Sequence, residues 1–76
     1  MSTERVTLTV LDLGYGGSGA LAVEQSLAHL KGVVNAYVNP ATETAYVQYD
    51  PSILQPSDLV HAVEKVGFHA GEPVRR

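Results

Sequence analysis

The sequence predicts an α+β fold in which two helices cover one face of a four-stranded antiparallel sheet. Three observations support this prediction. Hydrophobic periodicity changes along the 76-residue chain in the order strand, helix, strand, strand, helix, strand. The two middle strands are separated by a turn short enough for a hairpin, and strand–helix–strand crossovers are right-handed, which places both helices on the same face.

The first strand and the first helix are indicated by two different periods. Apolar and threonine residues alternate over residues 6–10, VTLTV, as expected for a strand with one buried face. An amphipathic helix is predicted from Ala20 to Lys31, and Gly32 is its natural stop. Its apolar positions at i, i+4 and i+7 are Val23, Leu27 and Leu30.

The middle of the chain predicts a hairpin. Residues 33–39, VVNAYVN, are rich in β-formers, and PATE at 40–43 is a turn sequence leading into a third strand at 44–50. A second helix is predicted to start at Pro56 and to stop before Gly67. Its apolar positions at the same spacing are Leu59, Val63 and Val66.

A short edge strand within Phe68 to Val74 completes the order β-α-β-β-α-β, which is the ferredoxin-like arrangement. We expect a single domain over 1–76, with its core at about 4–71 and a C-terminal tail at 72–76. The sheet face opposite the helices is expected to stay partly open. Side chains expected on that face are Thr7, Thr9, Tyr37 and Tyr46.

Charge and composition exclude several functions. The formal charge is −3 and the pI is near 5.4, which argues against binding to nucleic acid or to an anionic membrane, because such binding needs clustered Lys and Arg. The sequence shows no signal peptide and no apolar run long enough to insert in a membrane, so a cytoplasmic location is expected. There is no cysteine, which excludes disulfides.

A glycine-rich segment, GYGGSG at residues 14–19, lies between the first strand and the first helix and matches G-x-G-x-x-G. Its backbone N–H groups, together with the helix N-terminus, suit a small anion. A dinucleotide site further needs a parallel sheet and an acidic residue about 20 positions on, where Asn39 stands. Anion binding by this loop therefore stays as one alternative function, and dinucleotide binding is disfavoured.

Three segments from Val23 onward resemble the heavy-metal-associated domain of copper chaperones and metal-transporting ATPases. They are V-x-x-x-L-x-x-L-x-G-V from Val23 to Val33, VNPATETAYVQYDP, and LVHAVEKVGF. The resemblance implies the same ferredoxin-like fold. It also implies a metal loop before the first helix, where the family carries M-x-C-x-x-C and binds Cu(I) or Zn(II) through two thiolates.

The resemblance places the two cysteine positions of the family at Gly16 and Gly19, or, in a second register, at Gly17 and Ala20. Both thiolates are missing in either register. A soft-metal site cannot form from the ligands that are left, which are imidazole, carboxylate, phenol and backbone oxygen. We therefore expect no cofactor, and copper binding is not transferred from the family to this chain.

Harder ligands form the alternative metal site. In the family the segment after the second helix approaches the metal loop, so Asp12, Tyr15 and His69 are candidate ligands for a divalent transition metal ion. By periodicity His29 and His61 lie on the outer faces of their helices and are expected to be solvent-exposed.

The leading hypothesis is a non-enzymatic domain that has lost its thiolate site and serves as a docking or regulatory module. No Ser-His-Asp set or carboxylate pair suggests catalysis. The expected partner is a metal-handling protein, such as a metal-transporting ATPase or a related domain, or a second copy of the chain. The expected docking surface consists of Tyr15, Gly16, Gly17, Ser18 and Phe68.

Overall fold

The computed structural model describes residues 2–11 and 18–75, and for Ser18 it describes the backbone. Within these ranges the chain forms five strands and two helices. In chain order they are β1 (Glu4–Leu11), α1 (Ser18–Ala28), β2 (Val33–Asn39), β3 (Thr44–Tyr49), α2 (Pro56–Lys65), β4 (His69–Ala70) and β5 (Val74–Arg75). Expectations for residues 12–17 lie outside the described ranges.

The described strands form one antiparallel sheet in the order β2-β3-β1-β4, and the two-residue strand β5 also pairs with β1. β1 pairs with β3 from Glu4↔Tyr49 to Thr9↔Thr44 along one edge, and with β4 and β5 along the other. β2 and β3 form the expected hairpin. This topology, with both helices on one face, confirms the ferredoxin-like fold.

The core lies between the sheet and the two helices. Alternation in β1 places Val6, Leu8 and Val10 inside, as the sequence predicts. The helices contribute from their apolar stripes, and β3 contributes a buried tyrosine. The largest fully buried side chains are Tyr49, Leu8, Leu27, Leu59, Val10, Val23 and Val63.

Helix α1 ends at Ala28, three residues before the predicted end at Lys31. The Leu30 N–H donates to the Leu27 carbonyl, a tighter i to i−3 bond that is typical of a helix terminus. The chain then turns through Gly32, whose φ is 103°, and the Gly32 carbonyl accepts from Asp50 N–H at 2.8 Å. The turn into β2 therefore requires the chain to leave the helix early.

The predicted last strand is divided in two. β4 pairs with the end of β1 and β5 with its beginning, and Gly71 N–H still donates to the Thr9 carbonyl at 2.7 Å between them. Pro73 has no N–H to continue the ladder, which explains the interruption. Val74, the last residue of the predicted edge strand, and Arg75, within the expected C-terminal tail at 72–76, form β5 at the edge of the sheet.

Helix α2 begins as predicted. Pro56 occupies its first turn, and the Asp58 carboxylate accepts from Gln55 N–H at 2.8 Å. Leu59 and Val63 are fully buried. Val66, the third apolar position of the predicted stripe, follows the end of the helix and is 39% exposed, so the stripe is one residue too long.

The open face of the sheet carries the side chains expected there. Thr7, Tyr37 and Tyr46 are paired across β1, β3 and β2 and therefore point to the same side. The two tyrosine rings stack with centroids 6.1 Å apart, and both side chains are exposed. Thr7 is buried on this face, and its hydroxyl donates to the Val74 carbonyl at 3.5 Å.

The hairpin turn at 40–43 lies at the same end of the sheet as the end of β1. Glu43 has a φ of 53°, in the left-handed region, and its carbonyl accepts from Val10 N–H at 2.7 Å. Asn39 supports the turn because its Oδ1 accepts from Ala41 N–H. The hydrogen bond from Val10 extends the contact between β1 and the hairpin by one residue beyond Thr9↔Thr44.

Gly32→Ala is expected to lower the free energy of unfolding by about 2 to 3 kcal/mol. A Cβ at Gly32 would lie 2.8 Å from Ile53 Cγ2 and 2.9 Å from Ile53 Cβ, in addition to adopting a positive φ. Gly67→Ala is the matched control, because Gly67 has a φ of 94° with nothing within 4 Å of an added Cβ. The free energy of unfolding of Gly67→Ala should fall by about 1 kcal/mol, because the positive φ is the only unfavourable feature of that substitution. Urea unfolding measures both, and equal losses would contradict the role of Ile53.

Candidate functional site

The glycine-rich loop lies between the end of β1 and the start of α1. β1 ends at Leu11 and α1 begins at Ser18, so the strand leads into the loop and the helix leads out of it. The candidate residues Asp12, Tyr15, Gly16 and Gly17 all fall outside the described ranges. The structure therefore defines the positions of the strand before the loop and of the helix after it.

The two candidate positions within α1 have different surroundings. Gly19 is half-buried in the first turn of the helix. Ala20 is 5% exposed and belongs to the core cluster formed by the sheet and the helices. A side chain at position 20 therefore points into the apolar interior.

The segment after α2 lies beside the start of the loop, because its strand β4 pairs with the end of β1. His69 pairs with Leu11 in the short β4–β1 ladder, next to the point where the loop begins. The His69 side chain is exposed, whereas Phe68 is half-buried and packs against the core. In the described part of the chain, no group of three His, Asp or Glu side chains is close enough to hold a metal ion.

Two leucines flank the loop and are largely exposed. Leu11 is 46% exposed at the end of β1, and Leu21 is 54% exposed in the first turns of α1. With Phe68 they lie at the end of the molecule where the loop begins and ends, and we call these three residues the loop-end surface. Leu11 projects on the open face of the sheet, whereas Leu21 projects from the helical layer. Neither leucine is among the residues predicted for the site, although the sequence pattern indicates that both are exposed. Leu11 is out of phase with the buried residues of β1, and Leu21 is off the apolar stripe of α1.

His29 and His61 are both exposed, as the periodicity of the helices predicts. Both side chains also line one groove between α1 and α2. The sequence could not predict this shared position, because it depends on how the two helices pack against each other. The groove is on the helical layer and is distinct from the loop-end surface.

The ionisable groups with shifted pKa values lie at the opposite end of the sheet. Burial raises the pKa of Tyr49 above its ordinary 10.0, and the hydrogen bond from its hydroxyl to Glu4 Oε2, 3.2 Å long, raises it further. Hydrogen bonds from the Ser52 hydroxyl and N–H lower the pKa of Asp50. Arg75 also contacts Glu4, with Nη2 3.4 Å from Oε2, so this cluster links β1, β3 and β5.

Comparison with known proteins agrees with this arrangement of strands and helices. Residues 16–69 match the family model of the heavy-metal-associated domain. Copper-transporting ATPase 2 of Rattus norvegicus is 40% identical over 48 residues, which cover 63% of this chain and 3% of the ATPase. The aligned segment is thus a small fraction of the relative.

Solved structures extend the similarity to nearly the whole chain. One is the Cu(I)-loaded N-terminal domain of a potential copper-translocating P-type ATPase from Bacillus subtilis, with 32% identity and a TM-score of 0.89. The structural alignment covers 99% of this chain and 92% of that domain. The CopZ metallochaperone is 33% identical, with a TM-score of 0.81, over 92% of this chain and all of the other.

The chain has the ferredoxin-like fold of these metal-ATPase and metallochaperone domains. The match to the model of the heavy-metal-associated domain covers more than half of its length. It belongs to the heavy-metal-associated domain family. Domains of this family are generally non-enzymatic metal-binding modules. This member has no cysteine anywhere in its sequence, so it lacks the thiolates of the family's metal loop. Neither described helix is long and apolar enough to cross a membrane.

The raised pKa of Tyr49 predicts a loss of stability in alkaline solution. Ionising Tyr49 in the fold would place a phenolate in a buried position beside the Glu4 carboxylate. The stabilising contribution is therefore complete below pH 10, the ordinary pKa, and is lost as the pH rises through the raised value. Urea unfolding between about pH 8 and pH 11 should show a fall in the free energy of unfolding.

The Tyr49→Phe variant separates this contribution from the titration of other groups. It should show a smaller alkaline fall than the parent, whereas Tyr46→Phe, on the open face, should behave like the parent. Identical alkaline profiles for the parent and Tyr49→Phe would contradict the assignment.

Proposed function

We propose that the chain is a docking or regulatory module of a heavy-metal handling system, and that it contacts its partner through the loop end without holding metal through thiolates. The partner is a metal-handling protein that carries a heavy-metal-associated domain, such as a metal-transporting ATPase. The observation on which this rests is the combination of the complete family scaffold with a cysteine-free sequence.

The absence of thiolates supports a role other than soft-metal transport. Cu(I) selects thiolate and thioether ligands, and the only sulfur in this chain is that of Met1. The relatives include copper-transporting ATPases and a metallochaperone, which is why the proposed partner is a metal-handling protein. The fold can thus serve in the recognition of another protein within a metal-handling system.

The exposure of the loop-end surface supports its use in docking. Leu11 and Leu21 project from two different elements that meet at the loop, and each is about half exposed. Leu11, on the open face of the sheet, and Leu21, on the helical layer, give a partner that binds at the loop end one exposed apolar contact on each side. Phe68, a predicted docking residue, lies between the end of α2 and β4 at the same end of the molecule. The predicted contributions of Tyr15, Gly16, Gly17 and Ser18 belong to the same proposal.

Binding of a partner domain at the loop-end surface can be observed residue by residue. When an isolated heavy-metal-associated domain of a metal-transporting ATPase is added to the ¹⁵N-labelled chain, shifts are expected at Leu11, Gly19, Leu21 and Phe68. Leu21→Ser should weaken binding about tenfold, because truncating a central apolar contact costs more than 1 kcal/mol. Two-dimensional NMR titration measures both the contacted residues and the Kd.

A matched control is Val34→Ser, which replaces an exposed apolar side chain on β2, away from the loop. It should change the Kd less than about twofold. Shifts confined to the open face around Tyr37 and Tyr46, or equal weakening by both serine variants, would contradict the loop end as the docking surface.

The burial of Ala20 supports Gly16 and Gly19 as the positions equivalent to the family's cysteines. A thiol at position 20 would lie within the core cluster, where it could not meet a metal ion in the loop. Position 19 is half-buried in the first turn of α1 and is therefore partly exposed to solvent. The register Gly16/Gly19 is therefore favoured over Gly17/Ala20.

Restoring the thiolates tests this register. The double variant Gly16→Cys/Gly19→Cys is expected to bind one Cu(I) in competition with a chelator, and the parent chain is expected not to compete. The matched pair Gly17→Cys/Ala20→Cys should bind more weakly and should be less stable to urea, because its second thiol enlarges a packed core side chain. Tighter binding by the Gly17/Ala20 pair would show that the second register is correct.

A further inference from the structure

An open groove of about 1010 Å³ runs between α1 and α2 on the outer side of the helical layer. At its centre the Ser26 hydroxyl donates to the Ala62 carbonyl at 3.0 Å, which holds the two helices together. We call this surface the inter-helix groove. Its polar side chains, apart from Ser26, are Gln25, His29, Asp58, His61 and Lys65.

The charges of the groove are distributed unevenly. α1 and α2 follow the antiparallel strands β1 and β3, so they run in opposite directions on the same face. Among the described residues that line the groove, Asp58 carries a negative charge near the start of α2, and Lys65 carries a positive charge at its end. They are separated by seven residues, which is about 10 Å along a helix. The groove is therefore acidic at one end and basic at the other.

The apolar side chains of the groove are distributed in a similar way. Ile53, before α2, is 49% exposed and lies at the Asp58 end with Leu30. Val66, after α2, is 39% exposed and lies at the Lys65 end with the small Ala22. Each end thus presents one exposed branched side chain beside one charge.

We propose that the inter-helix groove is the contact surface between two copies of this chain. A twofold axis that lies in the interface, perpendicular to the groove, brings each end of one groove onto the opposite end of the other. Asp58 of each copy then faces Lys65 of the other, and Ile53 faces Val66, so every contact occurs twice. The two α2 helices cross the interface antiparallel, with His61 near the axis.

A second copy is the occupant that the charges favour. A twofold interface requires one surface that is complementary to itself, and a groove with opposite charges at its two ends meets this requirement. The patch is smaller than the roughly 800 Å² per partner of a standard interface, so the dimer is weak, with a Kd on the order of 10⁻⁴ M. This inference is independent of the proposed docking role, because it uses a different surface.

Sedimentation equilibrium of the full chain, from about 10 µM to about 1 mM, tests the proposal. The parent should show a monomer–dimer equilibrium that weakens with added salt. Lys65→Glu should raise the Kd about tenfold or more, because it turns two attractions with Asp58 into repulsions. Lys31→Glu is the matched control, since it makes the same change of charge at an exposed lysine outside the groove, and it should raise the Kd less than about twofold.

A mixing experiment tests the pairing itself. Asp58→Lys should also raise the Kd of self-association about tenfold or more, but an equimolar mixture of Asp58→Lys and Lys65→Glu should form a heterodimer with both ion pairs restored. Asp58 accepts a hydrogen bond at the start of α2, so circular dichroism must show that this variant folds. If it does not fold, Ile53→Ser, with Val34→Ser as its control, tests the apolar contact instead. Ile53→Ser should then raise the Kd about tenfold, and Val34→Ser less than about twofold.

Three results would overturn the proposal. They are a parent chain that stays monomeric at the highest concentration, equal effects of Lys65→Glu and Lys31→Glu, and equal effects of Ile53→Ser and Val34→Ser. A dimer that responds to Leu21→Ser but not to Lys65→Glu would assign self-association to the loop-end surface instead.

Discussion

The central position of β1 determines most of this structure. Both edges of the strand are paired, one with β3 and the other with β4 and β5, while its inward side chains form the middle of the core. The strand is therefore held in a single register, because a shift by one residue would turn Val6, Leu8 and Val10 towards solvent. The hydrogen bond from Val10 N–H to the Glu43 carbonyl then ties its last residues to the hairpin turn.

This arrangement separates the scaffold from the loop. The buried side chains of the described core come from strands, helices and the turn before α2, whereas the loop at 12–17 connects two elements that the core already positions. Substitutions in such a loop change the chemistry offered at the end of the molecule more readily than they change the packing. A member of the family can thus keep the fold although its sequence contains no cysteine.

The fold could be predicted largely because short-range periodicity reports burial. The alternation in residues 6–10 and the stripe beginning at Val23 each indicate which side of an element faces the core, and the structure confirms both. The ends of elements depend on tertiary contacts that the pattern does not contain. The early end of α1 follows from the turn at Gly32, and the division of the last strand follows from Pro73.

Predictions about the site were more limited for the same reason. The sequence places His69 after the second helix, but its position beside Leu11 follows from the register of β4 on β1. The position of Leu11 and Leu21 at the same end of the molecule likewise depends on how β1 and α1 pack in the fold. The shared groove of His29 and His61 depends on the distance and angle between two helices, which an amphipathic pattern does not specify.

The buried core has a further consequence for how this domain folds. In small domains whose ligands bring the chain together, binding of the metal supplies the free energy of folding, and the apo form is unfolded. Here the burial of Leu8, Leu27, Leu59 and Tyr49 supplies that free energy without a metal ion. A metal ion bound to the native state of such a scaffold would add to its stability, but folding does not require it, so the thiolates can be lost without loss of the native state.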